Sequence, residues 1–324
     1  MKKNTKLILA CSAAAAAAAA AATVVTAKLL TDTALDREEP KVMKKVKYII
    51  AGSDAENVLP EKTRKELHDG AELLRSRETE TPVITARDGV RLVGHWCPHP
   101  EAKRIIIAMH GWRSSWDHDF CTISGFWYDN GCSVLYPDQR GQNASGGDYM
   151  SFGMLERYDC LEWVNWVVQK CGTDIPVYLA GVSMGATTVL MASEFEMPSS
   201  VRGILSDCGF TSPEAIWRHV AKENLHLPYS VQHRLVDEMC RKKIKLSSKS
   251  CSTVEILKKA KIPVLFVHGT DDHFVPVEMT YRNYIACAAP KRLFIVPGAD
   301  HGMSYLEDRE GYENALKSFW REFE

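Results

Sequence analysis

From residue 104 onward, short unbroken apolar runs alternate with stretches of helical period. The runs at 104–110, 132–136, 175–181, 201–206, 262–267 and 291–296 are rich in β-branched residues. Such runs, rather than a polar–apolar alternation, predict strands covered on both faces. Between them, 155–169 spaces Leu155, Tyr158, Leu161, Trp163 and Trp166 near 3.6 residues, and 186–195 and 277–288 behave alike. Alternating strands and helices imply a mostly parallel sheet with helices on both faces, an α/β class. Val83-Ile84-Thr85 and the segment 90–96, joined through Asp88-Gly89, predict an opening hairpin.

One interval breaks this rhythm. Fifty-four residues separate Asp207 from Ile262, and they include Trp217, Leu225, Leu227, Tyr229 and Leu235. A simple crossover needs far fewer residues, and a solvated loop would not carry these. The interval predicts a helical cap at about 210–260, over the sheet edge where parallel strands place their ligands.

The N-terminus is a separate object. Three lysines in the first six residues precede a charge-free segment, 7–27, with an alanine tract at 13–22. Twenty-one helical residues reach about 30 Å, enough to cross a bilayer. Residues 1–30 therefore read as a signal peptide, with small residues at Val25-Thr26-Ala27, or as a retained anchor, which the length favours. Either reading places the protein outside the cytoplasm or on a membrane. Residues 31–80 turn densely charged and predict a linker followed by a helix at 55–76, leaving 81–324 as the main domain.

Composition narrows the classes. Forty Lys+Arg against forty-one Asp+Glu give a formal charge of -1, so the basic surplus that nucleic-acid binding needs is missing. Ten cysteines contain no C-x-x-C. A chain of this length builds a core without staples, so most of them read as free buried thiols.

The chemistry centres on Gly181-Val182-Ser183-Met184-Gly185, directly after a predicted strand and opening a predicted helix. A G-x-S-x-G in that context is a nucleophile elbow, where the glycines make room for a turn that projects the serine. An ordinary strand–helix turn is the bland alternative. A serine hydroxyl needs a base, and His301 follows the last predicted strand. The imidazole needs a carboxylate on its other nitrogen. Asp272, in His268-Gly269-Thr270-Asp271-Asp272-His273-Phe274-Val275-Pro276, is the first choice, with Asp271 and Asp207 as alternatives. The backbone N–H groups of Met184 and Trp112 are the expected oxyanion donors. His110, Trp112, Trp217 and Phe274 are expected to line a substrate pocket.

On His110-Gly111, Gly181 to Gly185, His268 to Pro276 and His301-Gly302, the sequence from about residue 83 to 323 resembles the α/β-hydrolase superfamily. It is most similar to the bacterial serine aminopeptidase-like and prolyl-oligopeptidase-like branch, which often carries an N-terminal membrane segment. The resemblance implies an eight-stranded sheet, a cap and acyl transfer to water without metal or organic cofactor. Many relatives carry D-x-R-G-H-G-x-S, and here Asp138-Gln139-Arg140-Gly141-Gln142-Asn143-Ala144-Ser145 has Gln142 for the histidine. That departure touches substrate contacts rather than catalysis.

The leading expectation is a carboxylic-ester hydrolase with small to medium acyl substrates, working through an acyl-enzyme. Peptidase or amidase is the runner-up and acyltransferase the third. A catalytically silent binding protein on the same fold is the non-enzyme reading, but such proteins often lose part of the triad. A metal site from His268, Asp271, Asp272, His273 and His301 is the weakest alternative, since the triad already accounts for Asp272 and His301. The expected partners are a small-molecule ester or peptide and, through the N-terminal segment, a membrane.

Overall fold

A computed structural model describes residues 2–42 and 60–324. Eight strands form one sheet: β1 Val83–Thr85, β2 Arg91–Cys97, β3 Arg104–Met109, β4 Cys132–Asp138, β5 Val177–Val182, β6 Val201–Asp207, β7 Val264–Gly269 and β8 Lys291–Val296. Their order is β1-β2-β4-β3-β5-β6-β7-β8. Only β1–β2 and β2–β4 pair antiparallel. This is the mostly parallel α/β sheet the apolar runs implied. Every residue of β3, β4 and β7 is buried.

Period two divides each strand between two cores. Ile105, Ile107 and Met109 pack with Trp163, Val164 and Val167 of helix α5 (Glu156–Cys171). Ile106 and Ala108 face Phe319 and Trp320 of α12 (Arg309–Phe323). Helix α2 (Glu61–Ser76) is the described part of the helix expected at 55–76, the first five positions of which lie outside the described residues. It buries Leu74 against α3 (Trp116–Asp119) and α4 (Ser124–Asp129). The helix expected from 186 begins two residues earlier, as α6 (Met184–Ala192).

Over the C-terminal edge, the long interval folds as α7 (Pro213–His219), a π-helical turn (Val220–Asn224), α8 (Tyr229–Ile244) and α9 (Thr253–Leu257). Ser212 starts α7 by accepting the Ala215 amide, a serine N-cap. The nine cysteines after the first tract are all free, and eight of them are buried.

The expected boundary at residue 30 falls inside a helix. α1 runs unbroken over Lys2–Leu35, and Ala14–Leu35 is long and apolar enough to cross a membrane by length and composition. Its last turns are not linker. Ala27, Thr31 and Leu35, four residues apart, are buried on one face. That face lies along α8, where Gln232 donates to Thr26 Oγ1 at 2.7 Å and Lys243 pairs with Asp32 at 3.0 Å and with Asp36. The charges at 28–37 looked like a linker because their partners, far along the chain, are invisible locally.

Arg140 ties the opening hairpin to the helical layer. Its guanidinium meets Asp159 of α5 through two bonds of 2.6 Å and Asp88 of the hairpin turn at 2.7 Å. Arg140→Met leaves Asp159 buried without its partner, which costs about 3–5 kcal/mol. Urea unfolding should show the lower midpoint. An unchanged midpoint would show that the ion pair contributes nothing net.

Candidate active site

The β5–α6 turn brings the backbone of α6 onto β3. A Cβ at Gly185 would lie 1.8 Å from the Met109 carbonyl oxygen, and one at Gly181 would lie 2.3 Å from the Gly185 carbonyl carbon. Only glycine fits either place. Between them Ser183 takes φ 56 and ψ -114, a conformation L-residues rarely adopt. The strain persists because the Ser183 amide donates to the Asp207 carbonyl at 2.9 Å and its own carbonyl accepts the Thr187 amide at 3.0 Å.

Loops from β7 and β8 bring the other groups to the same edge. His301 Nε2 lies 2.9 Å from Ser183 Oγ, and His301 Nδ1 lies 2.7 Å from Asp272 Oδ2. A carboxylate at Nδ1 places the proton there and leaves Nε2 to accept from the serine. Asp272 Oδ1 accepts the amides of Phe274 and Val275 at 2.9 and 2.7 Å. Burial opposes the ionised form of Asp272, but bonds from His268 and His301, the His301 charge and the Val275 amide outweigh it. They hold the carboxyl far below its usual range. Asp271 is exposed and accepts only from Thr270 Oγ1 among the bonds described. Asp207 is buried, and its carboxyl turns to Ser304 at 3.2 Å and to Tyr312, with burial pushing its pKa up. Of the three carboxylates weighed, only Asp272 hydrogen-bonds His301.

His268, part of the motif that carries the resemblance and of the metal alternative, supports Asp272. It is fully buried, and its Nε2 lies 3.0 Å from Asp272 Oδ2 and 2.8 Å from the Val275 carbonyl. Two acceptors at Nε2 place a proton there, while Nδ1 faces Thr280 Oγ1 at 2.7 Å. The histidine four positions before the acid was the available signal.

The residues of the metal alternative are not gathered as the sequence grouped them. His273 is exposed and meets Asp300 at 3.4 Å. Among the described residues, ligand atoms of Cys208, Asp272 and His301 come within 4.8 Å of one another. Burial, with the Asp207 and Asp272 charges, pushes the Cys208 thiol well above its ordinary range.

The expected pocket residues divide. His110 is fully buried, with Nδ1 2.8 Å from the Gly111 carbonyl and Nε2 accepting the Gln139 amide at 3.1 Å. It braces the loop and is no pocket wall, a correction that follows from its place at the buried end of β3. Trp217 is buried in the cap, edge-on to Phe152 at 5.2 Å, and Phe152 also neighbours Phe210 and Trp112. Met184, Val275 and Met279 belong to the same apolar cluster. Phe274 tilts over His301 at 5.2 Å. Trp112 turns its indole N–H to the Ala34 carbonyl at 3.0 Å.

Gly111 packs so near Ser183 that a Cβ on it would lie 3.5 Å from Ser183 Cβ. The Gly111 amide is committed to Asp119 Oδ2 at 2.6 Å. Gln142, the departure from the family pattern, is buried and accepts the Arg113 amide at 2.5 Å. It braces this loop. Gln142 stood out in the sequence as a departure expected to touch substrate contacts, and the structure gives it a bond to the Arg113 amide. Asp119 was not legible, because it acts through the Gly111 backbone amide, which no motif records.

A sheet in this strand order, turning through a glycine-bound serine at the end of its fifth strand, is the α/β-hydrolase fold, and the protein is a serine hydrolase of that class. Residues 118–323 match the prolyl oligopeptidase family, and the chain belongs to it. It is similar to the protein YqkD of Bacillus subtilis, 28% identical over 253 residues, covering 78% of this chain and 82% of the relative. Lysophosphatidylserine lipase ABHD12 of Macaca fascicularis is 29% identical over 169 residues, 51% of this chain and 40% of that relative. The esterase Pf2001 of Pyrococcus furiosus shares the fold at 21% identity, with a TM-score of 0.61, covering 76% of this chain and 91% of that one.

Asp272→Asn should lower kcat by about 10⁴-fold, because the amide favours the wrong imidazole tautomer, while Asp271→Asn leaves kcat close to wild type. Steady-state hydrolysis of a p-nitrophenyl ester reads both. The reverse ranking hands the role to Asp271.

Proposed function

We propose that the protein hydrolyses carboxylic esters with apolar acyl chains through an acyl-enzyme formed on Ser183. The observation that carries this reading is the unbroken chain from Ser183 Oγ through His301 to Asp272, at 2.9 and 2.7 Å. Ser183 Oγ bonds to the acyl carbon as His301 Nε2 takes its proton. Asp272 holds the ring and stabilises the imidazolium. The Met184 and Trp112 amides are the donors assigned to the oxyanion. The Met184 amide opens α6, where helix geometry provides no internal acceptor. His301 then passes its proton to the departing alkoxide, and a water activated at the same nitrogen releases the acid and restores Ser183.

The apolar cluster of Phe152, Phe210, Trp217 and Met279 beside Met184 favours an acyl chain over a charged side chain. The lipase named among the relatives points the same way. The family match favours a second reading, peptidase or amidase, in which the leaving group is an amine. An amine leaves less readily than an alkoxide and needs prior protonation, so ester is the first substrate class to assay.

Ser183→Ala should abolish both p-nitrophenyl ester turnover and labelling by a fluorophosphonate. Persisting label would remove Ser183 from the nucleophile's role. Cleavage of aminoacyl amides with no ester turnover would promote the second reading.

We propose further, from the length and apolar composition of Ala14–Leu35, that α1 is a membrane anchor with the catalytic domain outside the cytoplasm. The valines at 24 and 25 stand exposed just before the buried Ala27, as a helix entering lipid would present them. Full-length protein should sediment with membranes, and a form lacking residues 2–25 should move to the soluble fraction. Full-length protein found only in the soluble fraction rules out an anchor.

A further inference from the structure

The carboxyl-terminal turn of α1 is bonded into the loops that carry the candidate site. An α-helix ends with carbonyls that find no partner inside it. In α1 the Thr33 carbonyl accepts from the Arg113 guanidinium at 2.9 Å, Ala34 from the Trp112 indole at 3.0 Å, and Leu35 from the Met150 amide at 2.7 Å. Arg113 donates further to the Asp36 and Arg37 carbonyls at 2.6 and 3.0 Å. In return, the Arg37 guanidinium reaches the Ser145 and Asn143 carbonyls at 2.5 and 2.6 Å. The planar fork of an arginine serves several fixed directions at once, and a cation suits the negative end of a helix.

Arg113 follows directly on the Trp112 amide assigned to the oxyanion. Its own backbone sits at φ 54, uncommon for a side chain of this size. Its amide is held by Gln142, its guanidinium by α1. The loop between Gly111 and Arg113 is thus clamped at one end by Asp119 and at the other by Gln142 and the helix.

We propose that α1 is a working part of the active site: its last turn, gripped by Arg113, holds the Gly111–Arg113 loop so that the Trp112 amide stays aimed at the oxyanion. Arg113 is a positioning residue that acts through that amide. The inference rests on the oxyanion assignment made under the proposed function. It requires the docked turn around residues 31–37 to remain in the mature protein.

The test compares four proteins in detergent with a p-nitrophenyl ester: deletions of residues 2–25 and of 2–37, and full-length Arg113→Ala and Arg113→Lys. The shorter deletion should keep wild-type kcat. The longer deletion and Arg113→Ala should each lose roughly 10- to 100-fold in kcat with KM changed by less than about threefold. Fluorophosphonate labelling of Ser183 should slow in parallel while thermal unfolding stays cooperative. Arg113→Lys should recover part of the rate, since one ammonium reaches some of the carbonyls. A lower melting temperature with kcat intact in Arg113→Ala overturns the proposal, leaving the contact a purely structural one. Should the longer deletion fail to fold, Arg113→Ala and Arg113→Lys decide alone. If Ser183→Ala abolishes turnover while Arg113→Ala does not alter it, this inference falls and the functional reading stands. Turnover surviving Ser183→Ala removes the functional reading itself.

Discussion

The Met109 carbonyl and Gly185 are so close that no side chain can stand between them. That contact sets how far α6 slides over β3, and so where Ser183 emerges from the sheet. Every other part of the site is arranged around that height. The loops after β7 and β8 bring Asp272 and His301 to it, and the loop after β3 brings Gly111 so near that a side chain there would touch the serine. A parallel sheet makes this economical, because all three loops leave the same edge.

A buried carboxylate is costly unless it is bonded on all sides. Asp272 meets that condition with two backbone amides on one oxygen and two imidazoles on the other. The arrangement leaves its carboxyl no room to rotate, and the orientation of His301 inherits that rigidity. The two imidazoles are therefore unequal: His301 faces the serine, whereas His268 is locked by Thr280 and the Val275 carbonyl and serves the acid alone.

Much of this was legible in the sequence, for physical reasons. Strands buried on both faces leave unbroken apolar runs, so β3 to β7 could be read within a few residues of their ends; β8, at the sheet edge, carries such a run although most of its residues are only partly buried or exposed. Gly181 and Gly185 announce the elbow because nothing larger fits. Asp272 and His301 follow strands that end at the same edge. Other parts left no local trace. Arg113 looks like any solvated arginine, since its partners are carbonyls far earlier in the chain. The apolar part of the docking face of α1 is Ala27, Leu30, Ala34 and Leu35 against a background of alanines. Such a face is too weakly contrasted for periodicity to register. His110, adjacent to the site in sequence, is spent on the Gly111 carbonyl and the Gln139 amide.

The tail of α1 is shared property. Its outer length has the composition of a lipid-crossing rod, while its final two turns complete the interior of the catalytic body. An enzyme built this way is not a cassette mounted on an interchangeable stem. Transplanting the body onto another stem would have to carry residues 27–37 with it, because they are bonded both to α8 and to the loop after β3.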